Sequence, residues 1–216
     1  MDKRKKTLLM VSGIMIFVLA TIALYYGINN YLYISTEDAR VTGDIARINA
    51  QITGKLVSCD LEEGMTVHKD QIVARQEAPN QTDTALEQSL LRAPIDGVVI
   101  KKQGIMGEII SSGQAVGMVV DPAKLYIVAN IEETKLNHIQ VGNKVDVSID
   151  QYGGKKWVGK VSLIGEASNS TFSLIPSSSG GTFTKVVQKV PVRIAVDAKD
   201  NQIRPGTNAV VRIHIR

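Results

Sequence analysis

The chain has 216 residues, room for one or two domains with a core of their own but not for a polytopic transporter with a soluble domain beside it. Hydrophobic residues make up 44% against 21% charged, which excludes a disordered chain, and aromatics reach only 5%, so small aliphatic side chains must build the core. The formal net charge is +4, and residues 1 to 6 (MDKRKK) carry most of it, so no basic stripe supports nucleic-acid binding, while the single Cys59 excludes an internal disulfide or a two-thiol metal site.

After this basic leader (1–6) comes an apolar run assigned to 7–28. Leu8 to Ile28 reads LLMVSGIMIFVLATIALYYGI, without a charge, and at about 1.5 Å per residue it covers a hydrocarbon core of roughly 30 Å. Its Leu, Ile, Val and Phe residues favour insertion by roughly 3 to 7 kcal/mol, of which one lysine at Val18 would remove about half. Tyr25, Tyr26, Asn29 and Asn30 follow in place of the small-x-small site of a cleaved signal peptide, so the run is read as an uncleaved transmembrane helix. Lys3, Arg4, Lys5 and Lys6 precede it and place the N-terminus in the cytoplasm by the positive-inside rule, with Tyr31 and Tyr33 extending an outer aromatic belt. Residues 29–40 are read as a linker.

An offset of 43 residues, without a gap, places Ile52 on Ile95, Gly54 on Gly97, Gly64 on Gly107, Val67 on Ile110, Gln71 on Gln114 and Val73 on Val116. Each copy predicts a strand, a turn and two further strands. Gly54 and Gly97 fit a close backbone approach, and Gly64 and Gly107 fit turns of positive φ. One copy cannot bury its apolar face alone, so two copies docking as a sandwich (41–78 and 91–121) is the expectation. Between them EAPNQTDTALEQSLLRAP predicts a short helical connector at 79–90, with Thr82 or Asp83 as N-cap and Ala85, Leu86 and Leu90 on its apolar side.

From residue 122 to 216 the pattern lengthens into alternating stretches, LYIVANI, VGNKVDVSID, WVGKVSLIG, VVQKVPVRIAVD and NAVVRIHIR, about five or six strands. A short helix at EETKLNHIQ would bury Leu136 and Ile139. Turns are expected at Gly142, Gly153, Gly154 and Pro205–Gly206, and a small closed barrel leaves no exposed edge.

The paired segments ITGKLVSCDLEEGMTVHKDQIVARQE and RAPIDGVVIKKQGIMGEIISSGQAVGMVVD, RAPIDGVV above all, resemble the split biotinyl/lipoyl-like domain of HlyD/EmrA-type membrane fusion proteins. Phe172 to Ile194, FSLIPSSSGGTFTKVVQKVPVRI, is similar to the EmrA-like branch, with Lys185, Gln188, Lys189, Pro191 and Arg193 matching its motif. The resemblance implies a mainly β chain: an N-terminal transmembrane helix, a split lipoyl-like β-sandwich, a C-terminal small β-barrel, and a short helix in place of the long coiled-coil hairpin most members carry. It further implies a single-pass adaptor in the cytoplasmic membrane, assembled from identical copies and working with a proton-driven major-facilitator exporter of drugs. A carrier domain would need a lysine at the junction of the halves, and none stands there.

Candidate partner contacts are Phe172, Leu174 and Ile175, an apolar loop, with Lys185, Lys189 and Arg193 on one strand face. The other account of these cations is a solvated strand face. The sequence holds no G-x-S-x-G, H-E-x-x-H or G-x-x-x-x-G-K-(S/T), and His68, His138 and His214 lie in different elements, so neither an enzyme nor a cofactor or metal is expected. Cys59 beside Asp60, Glu62 and Glu63 reads as a poor nucleophile, and the two glutamates as a solvated turn. Rival readings are an accessory of an ABC-type secretion system, an enzyme-linked biotinyl carrier, and a surface binding module without a transporter.

Overall fold

A computed structural model describes residues 3–77, 82–153, 155–168, 187–196 and 203–215. Helix α1 (Lys3–Leu32) contains the apolar run Ser12–Asn29, whose side chains are exposed on every side, as befits a helix with no polar face to distinguish. It is long and apolar enough to cross a membrane.

The chain then enters β1 (Tyr33–Thr42) without a break. The linker expected at 29–40 is therefore absent: its first residues end α1 and the rest are a barrel strand. Strict alternation would bury Asp38, but a bulge between Thr36 and Ala39 shifts the phase, so Ala39 and Val41 face inward and Asp38 outward. That interruption hides the strand from a period-two reading.

Eight short strands follow: β2 (Ile45–Asn49), β3 (Gly54–Cys59), β4 (Thr66–Val67) and β5 (Ile72–Gln76), then β6 (Leu90–Arg92), β7 (Gly97–Lys102), β8 (Ile109–Ile110) and β9 (Ala115–Val120). The 43-residue offset carries β3 onto β7 and β4 onto β8. Two four-stranded sheets result, in the orders β2-β9-β7-β4 and β6-β5-β3-β8. Each sheet takes two strands from each repeat. The expectation of two halves docking as separate layers is thus corrected: the halves exchange strands, because a three- or four-strand copy has unpaired edges as well as an unburied face, and exchange satisfies both. The hydrogen bonds obey the same two-fold relation. Gly64 N donates to Val99 O and Gly107 N to Leu56 O, both at 2.8 Å, while Ala50 N donates to Gln114 O and Ala93 N to Gln71 O, both at 2.9 Å.

Gly64 and Gly107 have φ of +88° and +91°. Gly54 and Gly97 serve a different need, since an added Cβ would lie 2.5 Å from Glu77 O and 2.3 Å from Val120 O respectively. Ile48, Leu56, Val67, Val73, Leu91, Val99, Ile110 and Val116 fill the space between the sheets. One departure from the symmetry in this core is Leu61, fully buried, which has Gly104 as its counterpart and packs over Gly117, where an added Cβ would sit 2.9 Å from its Cδ1. A second leucine there would overfill the layer.

The connector between repeats is α2 (Asp83–Gln88), only six residues long, with Thr82 Oγ1 accepting from Ala85 N at 3.4 Å. It is shorter than the expected 79–90, and Leu86 is exposed rather than packed. Buried Ser89 stops it: its N–H still bonds Ala85 O, but its carbonyl already accepts Gln76 N at 2.8 Å, which draws the chain into β6.

The remaining strands are β10 (Tyr126–Glu132), β11 (Lys144–Ile149), β12 (Lys156–Ile164), β13 (Lys189–Val196) and β14 (Asn208–His214). With β1 they close a six-stranded barrel in the order β1-β10-β13-β12-β11-β14. Inward positions are Ile127, Ala129, Ile131, Val145, Val147, Ile149, Trp157, Val161, Val192, Ile194, Val211 and Ile213, all buried. The expected short helix is a 3-10 turn over Glu133–His138, with Ile139 buried and Leu136 half-buried. Gly142, Gly153 and Gly206 take positive φ in turns. Gly154 lies outside the described residues.

Candidate partner-contact surfaces

Of the six contact residues read from the sequence, Phe172, Leu174, Ile175 and Lys185 lie outside the described residues. Lys189 and Arg193 stand on β13 with exposed side chains, four residues apart and so about 13 Å along the strand. The structure does not bring them together. The Arg193 carbonyl accepts the Ser162 hydroxyl at 3.2 Å. Lys189 reaches across β10 to β1, where its Nζ is 2.7 Å from Asp38 Oδ2, and Asn130 Nδ2 donates to Asp38 Oδ1 at 3.0 Å. These donors hold the Asp38 carboxyl below its ordinary range, Lys189 contributing most. With both partners about half exposed, the ion pair fastens three strands of the barrel wall without costing much desolvation. Lys189 is therefore a structural clasp on its own barrel as well as a candidate contact.

A second surface escaped the sequence reading. Ile105 and Met106 on the turn between β7 and β8, and Ile109 at the start of β8, are 68 to 70% exposed, and Val57 lies exposed on the outward face of β3, the strand β8 pairs with. The two-fold relation supplies an internal control. The matching turn between β3 and β4 has the same backbone hydrogen bonds yet carries Glu62, Glu63 and Thr66 at those positions. Local geometry thus imposes no apolar residue there, and the exposed group is free to serve contact with another surface. The signal was present in the sequence, but in the positions where the repeat fails to match.

The titratable residues singled out earlier remain dispersed. His68 faces Asp96 at 3.4 Å, His214 Nε2 lies 2.8 Å from Asp146 Oδ2, and His138 closes the 3-10 turn. The backbone N–H of Lys69 and then His68 keep the Asp96 carboxyl below its ordinary range. Cys59 is half-buried, its Sγ 3.9 Å from Gly104 O. Glu63 Oε1 accepts Lys102 N at 3.2 Å, which ties the acidic turn to the opposite sheet. Among the described residues no group of three His, Cys, Asp or Glu side chains could hold a metal ion.

Two family models match: the barrel-sandwich hybrid domain of RND membrane fusion proteins over residues 44–122, and the YknX-like beta-barrel domain over 125–213. The chain is 39% identical over 182 residues to a putative efflux system component, YhbJ, of Bacillus subtilis, covering 84% of this chain and 79% of that one. It is 34% identical over 135 residues to the multidrug export protein EmrA of Haemophilus influenzae, covering 60% of this chain but only 35% of that protein. Among solved structures, the periplasmic adaptor protein EmrA superposes with a TM-score of 0.57 at 14% identity over 84% of this chain and 98% of that one, a likeness of fold. A helix able to cross a membrane, a strand-exchanged sandwich, a six-stranded barrel and these matches together make the chain a member of the membrane fusion protein family, in its EmrA-like branch.

Proposed function

We propose that this protein is a single-pass adaptor of a small-molecule efflux system, anchored in the cytoplasmic membrane by α1 with its N-terminus inside. The observation that carries the reading is the unbroken passage from an exposed apolar helix into the first barrel strand, in a chain whose relatives are named efflux and multidrug export components. Work on the substrate falls to a partner, a proton-driven major-facilitator exporter on this reading. Identical copies associate side by side through the apolar turn at Ile105, Met106 and Ile109. The anchor concentrates the module in the plane of its exporter.

Deleting the protein while leaving the exporter expressed tests the role. Accumulation of a fluorescent cationic dye is expected to rise in the deleted cells and to return to normal on complementation; unchanged accumulation refutes it. Crosslinking followed by purification separates the partners: recovery of an ABC protein in place of a major-facilitator protein would make the chain an accessory of an ATP-driven system.

A further inference from the structure

At the outer end of α1 a cavity of about 850 Å³ opens between Asn29 and Tyr31 of the helix, Tyr33 of β1, the 3-10 turn at Lys135, and the strands carrying Asp146, Lys156 and Arg212. We infer that it seats the phosphate of an anionic phospholipid headgroup, an inference that rests on the membrane-anchored reading above. Arg212 is held for such a task. Its guanidinium stacks over the Tyr33 ring, 4.2 Å from the centroid, and donates to Asn29 Oδ1, which fixes the planar fork while leaving N–H groups for a ligand. Its cross-strand neighbour is Asp146, the natural counter-ion, but that carboxylate is engaged by His214 at 2.8 Å. Among the described residues neither Arg212 nor Lys156 has a carboxylate partner, whereas Lys135 is paired with Glu132 at 2.8 Å.

Depth selects the ligand. The apolar span ends at Asn29 and the helix at Leu32, so the helical wall of the cavity lies within about 5 Å of the hydrocarbon boundary, inside the headgroup layer of roughly 5 to 7 Å. Two cations without carboxylate partners in the lining of this cavity, Arg212 and Lys156, beside tyrosines suited to the interface, match a phosphodiester carrying a net negative charge. A zwitterionic lipid offers the same phosphate but adds an ammonium beside the same cations.

The full chain in mild detergent, offered phosphatidylglycerol or phosphatidylcholine at equal ratio, is examined by native mass spectrometry. Retention of phosphatidylglycerol is expected to exceed that of phosphatidylcholine, and Lys156→Gln and Arg212→Gln each to lower it about five-fold, the worth of one cation near an anionic surface. Lys160→Gln, on the same strand as Lys156 but away from the cavity, removes equal charge and serves as the control. Equal retention of the two lipids, or losses no larger than that of Lys160→Gln, overturns the inference. Displacement of phosphatidylglycerol by millimolar glycerol 3-phosphate would assign the cavity to a soluble anion and overturn the lipid. Alkaline carbonate extraction of membranes tests the anchor separately: a chain that stays in the pellet but does not discriminate lipids refutes this site alone, and a chain that is extracted refutes the anchor.

Discussion

Substituting alanine at the paired glycines tests the strand-exchanged sandwich directly. At Gly97 the new Cβ would stand 2.3 Å from Val120 O, and ordinary contact begins at 3.4 Å, so a central strand must retreat by about 1.1 Å. Val120 O is a backbone atom and the position of the Cβ is fixed by the backbone, so neither can rotate away. Such overpacking costs about 3 kcal/mol, and the lower entropy of an unfolded alanine returns less than about 1, for a net loss of about 2 kcal/mol. Gly54 makes the equivalent approach to Glu77 O at 2.5 Å, and the same loss is expected there. At Gly64 and Gly107 the space is open and only the positive φ resists, so alanine costs about 1 kcal/mol. Gly13, in a helical backbone with nothing within 4 Å, is the control, expected to lose no stability. Urea titration of the full chain in detergent, followed by the β-sheet circular dichroism signal, reads these differences. The reasoning fails if Gly97→Ala is as stable as the parent, or if Gly54 and Gly97 diverge by as much as either loss.

Ile105→Glu with Met106→Glu gives the second turn the residues of the first, so the fold is expected to keep its urea midpoint while the assembly falls to smaller species in analytical ultracentrifugation; an unchanged sedimentation profile removes the turn from the contact surface. Lys189→Gln releases Asp38, whose depressed carboxyl stabilises the fold above its ordinary value near 4 and ceases to do so as the pH falls below it. Because both partners are half exposed, the parent should lead this variant by about 0.5 kcal/mol at neutral pH and by less in acid, and a gap that persists at acid pH assigns the effect to packing. Val18→Lys places a charge mid-helix at about 3 kcal/mol and should shift part of the chain into the carbonate-soluble fraction, whereas full retention would show that α1 is held by something other than lipid.

The sequence made the repeat legible because each half must satisfy the same local demands. Val67 and Ile110 fill the same core site, Gly64 and Gly107 the same turn, and periodicity registers such positions whatever strand lies beside them. It carries no record of which copy's edge a strand joins, so the exchange of strands between sheets was out of reach. Strand β1 was lost for another reason: YISTEDARVT contains a bulge, and one extra residue reverses the alternation that identifies a strand. The candidate contacts divide in the same way. Lys189 could be picked out from a motif and a strand face, but its ion pair with Asp38 joins residues 151 apart, a separation that no local pattern spans.

The barrel's closure and the seat of the helix depend on the same pair of strands. β1 leaves α1 directly and pairs with β14, from Tyr33 opposite His214 to Arg40 opposite Asn208. Just beyond that register Ile215 N donates to Leu32 O at 3.1 Å, and Arg212 of the same strand bonds Asn29. A tilt of the helix is therefore resisted by both strands of the seam that closes the barrel, and opening that seam would free the last helical turn. Two separate fastenings could fail one at a time; here a load applied through α1 is delivered along β1 and shared in shear by every hydrogen bond of the β1–β14 ladder. A flexible linker would have let the helix and the barrel reorient independently. Its replacement by a continuous strand ties the position of the barrel wall to the angle of the helix, which is the property the proposed adaptor role needs if motion in a membrane partner is to reach the barrel.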